Sequence, residues 1–152
     1  MRALLALALL TACVTPVPVA RTGSAEPADD ARTVFEWINR HRASRGCAPL
    51  VWSEGAARAA RLHSEDMARR GFFSHTSPEG ALPWDRLRAQ GLSYTRAAEN
   101  IARTGAGPHD AVRGWINSAG HRANIENCQF THTGVGVAGS HWTQLFFTPR
   151  SP

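Results

Sequence analysis

The sequence predicts an α+β domain, in which helices pack on a small antiparallel sheet. Apolar residues recur at helical spacing from residue 31 to about residue 118, whereas the tail has two short segments around a Gly139-Ser140 turn, the pattern of a β-hairpin. Helices followed by a hairpin are typical of the α+β class. We assign residues 31–150 to one domain, because no internal repeat is evident and the length suits a single core.

Two longer helices open the domain. The first is predicted over residues 31–44, with Asp29 or Asp30 as its cap. The second begins at its cap, Ser53, and ends before Gly71. Its buried stripe is unusually small-sided, so another element can approach closely. The stripe consists of Ala56, Ala59, Ala60, His63 and Met67.

The remaining predicted elements are shorter. In chain order they are a helix over residues 83–90, a brief strand over residues 98–102, a helix from Pro108 that breaks near Ser118, and a hairpin of residues 134–138 and 142–148. Pro83 and Pro108 suit the first helical position, because the N–H that proline lacks has no intrahelical partner there.

A leader precedes the domain. Arg2 and the apolar run of residues 3–10 have the pattern of a signal peptide, and the run is far below the ~20 residues needed to span a bilayer. We therefore expect residues 1–20 to direct export and residues 21–30, which are small, polar and acidic, to form a flexible linker. The expected location is extracellular or in the cell envelope.

The cleavage site decides whether the exported protein is anchored. Leu10-Thr11-Ala12-Cys13 resembles the lipobox of bacterial lipoproteins, in which cleavage after Ala12 leaves a lipid-modified Cys13 as the new N-terminus. Residues 17–20 offer a competing small-residue site, and cleavage after Ala20 would release a soluble protein. The sequence leaves both outcomes open.

The other two cysteines, Cys47 and Cys128, are expected to form a disulfide. Two thiols far apart in sequence usually pair in an oxidising compartment. Zinc binding is the alternative use of cysteine, but neither residue belongs to a CxxC pair. Closing a loop of about 80 residues would stabilise the fold by roughly 4 kcal/mol in the chain-entropy model.

The charge pattern argues against nucleic acid as a partner. The formal net charge is +5, but the basic residues are scattered, without a basic stripe or interleaved aromatic residues. Weak attraction to anionic envelope polymers is compatible with this charge.

Four polar residues stand out as candidates for a site. His75 and His121 are predicted to lie in loops rich in Ser, Thr, Gly and Asn, just outside helix ends, where functional residues are frequent. Between them, Glu99 and Asn100 lie in a predicted strand flanked by apolar residues, where polar side chains need partners. Two His and one Glu suit either a divalent-metal site or a carboxylate–imidazole hydrogen-bond network.

Seven short motifs follow one another in a specific order. They are Ile38-Asn39-Arg40-His41-Arg42, Ala59-Ala60-Arg61-Leu62-His63-Ser64-Glu65-Asp66-Met67-Ala68, Phe73-Ser74-His75, Ala98-Glu99-Asn100-Ile101-Ala102, Trp115-Ile116-Asn117-Ser118-Ala119-Gly120-His121-Arg122, Gly134-Val135-Gly136-Val137 and Trp142-Thr143-Gln144. The ordered set resembles the CAP superfamily, named for cysteine-rich secretory proteins, antigen 5 and pathogenesis-related proteins. It is most similar to the short bacterial branch with a single domain, and the resemblance runs from Val34 to about Phe147.

The resemblance implies a three-layer α-β-α sandwich with a surface cleft. It places His75, Glu99, Ser118 and His121 in that cleft, with Ser118 at the position where other members carry a second Glu. It also implies that His75 and His121 would hold zinc or another divalent cation, with water completing the coordination shell. Because Ser cannot act as a second carboxylate, a two-carboxylate hydrolase mechanism is weakened.

Binding is the favoured function. The family's association with lipids and with host or envelope interactions implies a secreted or envelope-anchored module whose cleft binds a lipid, a cell-wall fragment or a protein. The alternative is a metal-dependent hydrolase of peptide or cell-wall material, in which Glu99 is the base toward a bound water. A third hypothesis is that His75, Glu99 and His121 only hold the loops in place. Whether the protein is an enzyme stays open at this point.

Overall fold

The structure, a computed structural model, describes residues 27–151, and its five helices and four strands confirm the predicted α+β class. In chain order these elements are α1 (Pro27–Ser44), β1 (Val51–Trp52), α2 (Glu54–Arg70), α3 (Pro83–Ala89), β2 (Tyr94–Arg103), α4 (Pro108–Asn117), α5 (Ala119–Ile125), β3 (His132–Ala138) and β4 (His141–Pro149). The predicted signal peptide, the candidate lipidation residue Cys13 and linker residues 21–26 lie outside the described residues. Between residues 27 and 151, no helix is both long and apolar enough to cross a bilayer.

The ends of the two longer helices follow local chemistry. Ser53 caps α2 by accepting a hydrogen bond from the Ala56 N–H at 3.3 Å, and Gly71 ends the helix with a left-handed φ of 70°, both as predicted. The first helix begins four residues earlier than predicted, so residues 27–30 are helix and not linker. Asp29 and Asp30 lie within its first turn, where their charge suits the positive end of the helix dipole, and do not cap it.

The sheet has the strand order β1-β3-β4-β2. β4 pairs antiparallel with β3, through the predicted Gly139-Ser140 turn, and with β2. β1, which the sequence analysis did not predict, pairs parallel with β3 at one edge, matching Val51 with His132 and Trp52 with Thr133. The sheet is therefore mixed at that edge and not wholly antiparallel as predicted. β1 was missed because a two-residue strand is too short to leave a periodic pattern.

Two further elements differ in extent from the prediction. β2 runs over ten residues, Tyr94–Arg103, where a strand of five was predicted, because it pairs with β4 along its length. The break near Ser118 is present, but a further helix, α5, follows it at once. The sequence analysis did not predict α5, which carries only seven residues.

Helices cover both faces of the sheet. α2 and α3 pack on the face that carries Leu145 and Phe147, whereas α1, α4 and α5 pack on the face that carries Trp142 and Phe146. Alternate residues of β4 therefore point into opposite layers. This is the three-layer α-β-α sandwich that the resemblance implied.

α2 crosses β3 at the distance of direct backbone contact. A Cβ atom placed on Gly134 would lie 2.0 Å from the Ala57 nitrogen, and one placed on Gly136 would lie 2.0 Å from the Arg61 nitrogen. No side chain fits between the two backbones. The predicted small-sided stripe of α2 is buried over its whole length, at Ala56, Ala59, Ala60, His63 and Met67.

Cys47 and Cys128 form the predicted disulfide, with 4.9 Å between their Cα atoms. The bond joins the turn after α1 to the segment that leads into β3. Arg42, which is fully buried, links the same two segments. Its guanidinium donates hydrogen bonds to the backbone carbonyls of Ala48, Ile125, Asn127 and Phe130.

Gly136→Ala tests the contact between α2 and β3. Because the added Cβ would overlap the Arg61 backbone, we expect a loss of about 3 kcal/mol or more in the free energy of unfolding. Gly114→Ala, within α4 and with open space around it, is the matched control and should stabilise the protein by about 0.5–1 kcal/mol. Urea unfolding measures both, and equal stability of the two variants would contradict the contact.

Candidate functional site

Glu99 carries a buried carboxylate on β2. Its side chain is 1% exposed, and both of its oxygens are engaged: Oε1 lies 2.8 Å from Nδ1 of His75, and Oε2 lies 2.8 Å from Nη2 of Arg86. A carboxylate in such a position is costly unless it is paired and hydrogen-bonded. These two contacts therefore hold Glu99 in a single orientation.

His75 presents its imidazole to solvent from the loop after α2. Its side chain is 50% exposed, although Nδ1 contacts Glu99. An ionised carboxylate only accepts hydrogen bonds, so Nδ1 carries the proton of this contact and Nε2 keeps its lone pair in the neutral ring. The ring is thus held through Nδ1, whereas Nε2 stays available for a further contact.

Arg86, on α3, is a residue of the candidate site that sequence analysis missed. Nη2 donates to Oε2 of Glu99 and to the backbone carbonyl of His75, both at 2.8 Å, and Nη1 donates to the Ala81 carbonyl at 3.0 Å. Its side chain is 12% exposed. The signal was present in the sequence, because a carboxylate expected inside the domain needs a cation and the nearby predicted helix carries Arg86 and Arg88.

His63 fixes the loop that carries His75. It is a buried residue of α2, and its Nε2 lies 2.9 Å from the carbonyl oxygen of Ser74. Burial, reinforced by the nearby charge of Arg86, lowers the pKa of His63 below its ordinary value. His63 is therefore a neutral, hydrogen-bonded core residue, in the buried stripe where the sequence predicted it. It positions the loop that carries His75.

His121 lies on α5, not in a loop as we expected from the sequence. Asn100, fully buried on β2, donates to the His121 carbonyl at 3.1 Å and accepts from Nδ2 of Asn124 at 2.9 Å, so it anchors α5 against the strand. Burial lowers the pKa of the partly buried His121, and positive charge on His75 lowers it further.

Ser118 separates α4 from α5. Its backbone is extended, with φ −96° and ψ 121°, and its carbonyl accepts the Arg122 N–H at 2.8 Å. Its side chain makes no capping hydrogen bond to α5. Ser118 is thus the residue from which the helix carrying His121 begins.

Of the three metal ligands suggested by the sequence, the two imidazoles remain as candidates. Within residues 27–151, no three or more His, Cys, Asp or Glu side chains converge in a way that would hold a metal ion. Glu99 is turned away from that role, because its oxygens contact His75 and Arg86. His75 and His121 are the donors that remain, and the carboxylate behind His75 is the kind of partner that orients a ligating imidazole.

This chain matches a known protein family and two known relatives in sequence. The family model described as the cysteine-rich secretory protein family, CAP, matches residues 35–148. The Bacillus subtilis protein YkwD is 43% identical over 117 residues, which are 76% of this chain and 46% of the relative. The Bacillus subtilis membrane protein YlbC is 38% identical over 115 residues, 76% of this chain and 33% of the relative. The chain thus spans less than half the length of either.

Solved structures agree in fold. An extracellular protein of Bacillus anthracis that contains an SCP domain superposes with a TM-score of 0.78 and 34% identity, over 84% of this chain and 45% of its own. An outer surface protein of Borrelia burgdorferi superposes with a TM-score of 0.75 over 83% of this chain and 97% of its own. The latter is 18% identical and shows a shared fold alone.

Arg86→Met tests the pairing of the buried carboxylate. We expect a loss of about 3 kcal/mol in the free energy of unfolding, because the buried Glu99 carboxylate loses its guanidinium partner and keeps only its contact with His75. The control is Arg88→Met on the same helix, whose ion pair with Asp85 is exposed and should be worth less than about 1 kcal/mol. In the double variant Arg86→Met/Glu99→Gln, part of the loss should be recovered. A single Arg86→Met variant as stable as the control would contradict the pairing.

Proposed function

Because the chain belongs to the cysteine-rich secretory protein (CAP) family, we propose that it is an exported binding module whose cleft, lined by His75, Glu99, Ser118 and His121, takes up its ligand at the cell surface. One observation carries the proposal, namely that the half-exposed His75 ring is held by a buried carboxylate. A ring ordered in this way pays little entropy on binding, which is how a pre-organised recognition site works.

A divalent cation, zinc in particular, suits this cleft. Imidazole nitrogen is a preferred zinc ligand, and His75 and His121 would hold the ion with water in the remaining positions. Nδ1 of His75 is occupied by Glu99 at 2.8 Å, so Nε2 is the atom that would face the ion. The ion, when bound, would supply a Lewis-acidic point for an oxygen atom of the ligand.

The proposed location is extracellular or in the cell envelope. Residues 1–10 have the signal-peptide pattern, and the Bacillus anthracis protein, at 34% identity, is described as extracellular. Anchoring through a lipid on Cys13 is part of the proposal, since this residue directly follows the apolar run. The candidate ligands are then the lipids, cell-wall components and proteins exposed at the envelope.

The geometry favours binding over hydrolysis. A general base must reach the water that it activates. Glu99 is 1% exposed and contacts both Arg86 and His75, so neither carboxylate oxygen is free for that task. Ser118 supplies no second carboxylate in its place.

Zinc titration by calorimetry tests the proposed cleft. We expect the wild-type protein to bind a stoichiometric zinc ion, and His75→Ala and His121→Ala each to abolish binding because each removes a ligand. Glu99→Gln should weaken binding about 10- to 100-fold, since it alters only the partner of a ligand. His132→Ala, on β3, is the matched control and should leave affinity unchanged.

A different pattern would support the purely structural hypothesis. If His75→Ala and His121→Ala bound zinc as well as the wild type while their melting temperatures fell, the cluster would serve only to hold the loops. That outcome would contradict the proposed metal-holding cleft.

A further inference from the structure

Two exposed arginines on β2 have no acidic partner. Within residues 27–151, the guanidinium groups of Arg96 and Arg103 form neither an ion pair nor a hydrogen bond, and both residues are exposed. By contrast, the exposed Arg61 on α2 pairs with Glu65. A guanidinium carries its charge at every physiological pH and offers a planar fork of N–H donors. Each of these two β2 arginines therefore presents an uncompensated charge with free donors.

The two arginines flank the candidate cleft, one on each face of the sheet. Alternate residues of a strand point to opposite faces, so Arg96 shares its face with Asn100, which donates to the carbonyl of His121. Arg103 shares the opposite face with Glu99. At ~3.3 Å per residue, the two positions are about 23 Å apart along β2. A ligand that follows the strand through the cleft would meet a positive charge at each end.

The acidic residue between them does not offset this charge. The Glu99 side chain is 1% exposed, and its carboxylate is already paired with Arg86 at 2.8 Å. The charge of Arg103 also acts on its neighbour across the strand pair, because burial lowers the pKa of His141 and Arg103 lowers it further. The electrostatic field along this part of the surface is therefore positive and attracts anions.

An exposed aromatic ring lies beside one of the two charges. Phe73 is 45% exposed and belongs to the same loop as His75, two residues before it. The centre of its ring is 5.7 Å from the guanidinium carbon of Arg103. An apolar ring next to a free guanidinium matches a ligand that carries a carboxylate beside C–H groups. An acidic sugar has both features, since its ring C–H groups can pack on an aromatic face.

We propose that the ligand of the cleft is an acidic polysaccharide that runs along β2, with carboxylates bound by Arg96 and Arg103 and one sugar ring packed on Phe73. The inference rests on the proposed function, because it names the ligand class for the same cleft. Arginine binds a carboxylate through two parallel N–H···O bonds, which add geometric specificity to the charge. Contacts at both ends of the cleft fix the register of the polysaccharide chain along the strand.

Two other accounts of these arginines fit less well. A flat anionic membrane would not meet both charges at once, because Arg96 and Arg103 project from opposite faces of β2. Charged residues on an edge strand can also serve only to prevent pairing with another chain. That role gives no reason for an exposed aromatic ring beside Arg103, and it predicts that ligand binding is independent of both arginines.

The probe is a hexamer of galacturonic acid, measured by calorimetry with a chelator present so that the result does not depend on a metal ion. Arg96→Gln and Arg103→Gln should each weaken binding about threefold or more, and the double variant at least about tenfold, because each change removes a charge-assisted contact. Arg58→Gln is the matched control and should bind as the wild type does. Arg58 is also exposed and contacts only the neutral Gln90, at 3.0 Å, but lies on α2.

Two further probes separate recognition of the sugar from recognition of the charge. Hexaglutamate carries as many side-chain carboxylates without sugar rings and should bind more weakly than the galacturonic acid hexamer. Phe73→Ala should weaken binding of the sugar hexamer about threefold or more and leave that of hexaglutamate unchanged, because only the sugar packs on the ring. The neutral hexamer of N-acetylglucosamine should not bind, and added salt should weaken binding of the acidic hexamer by screening.

Several results would overturn the proposal. Unchanged affinity in the Arg96→Gln/Arg103→Gln variant, together with its self-association in sedimentation analysis, would show that the arginines only protect the edge strand. Hexaglutamate binding as tightly as the sugar hexamer would identify an acidic peptide as the ligand, and binding to phosphatidylglycerol vesicles alone would identify a membrane. Zinc binding by His75 and His121 without binding of the sugar hexamer would overturn the ligand class and leave the proposed cleft standing. Arginine-dependent binding of the hexamer without zinc binding would support the ligand class and contradict only the metal.

Discussion

The direct backbone contact between α2 and β3, made where Gly134 and Gly136 lack side chains, sets how closely α2 packs on the sheet. From this contact, α2 leads through His63 to the Ser74 carbonyl and so to His75. Across the sheet, Gly134 pairs with Leu145, which pairs with Glu99. The two routes meet where His75 Nδ1 lies 2.8 Å from Glu99. A shift of either layer would open this hydrogen bond, because packed layers do not deform continuously.

Burial of the Glu99 carboxylate then limits the chemistry that this side chain can perform. Desolvation of the charge is offset by Arg86 and His75, and the same two contacts remove Glu99 as a free base or metal ligand. What stays exposed is the outer side of the His75 imidazole, whose Nδ1 contacts Glu99. In the proposed function, this exposed ring is the part of the site that would meet an ion or a ligand.

Those parts of the fold that depend on local chemistry could be predicted from the sequence. Ser53 and Gly71 bound α2, and the Gly139-Ser140 turn locates the hairpin, because caps and turns need particular residues. β1 and α5 were not predicted, since two and seven residues are too few for a periodic signal. His75, Glu99 and His121 stood out from their surroundings in the sequence, whereas their grouping with Ser118 into one site came from the family resemblance. Arg86 was missed because its partners, Glu99 and His75, are brought to it only by tertiary packing.

The tautomer of His75 tests most directly whether Glu99 holds the imidazole through Nδ1 and leaves Nε2 without a proton. Long-range proton–nitrogen NMR spectra of the metal-free protein in mildly alkaline solution distinguish the two neutral forms of the ring. The arrangement predicts a proton on Nδ1, an unprotonated Nε2, and loss of this preference in Glu99→Ala. A His75 ring that carries its proton on Nε2, or one that exchanges freely between tautomers in the wild type, would contradict it.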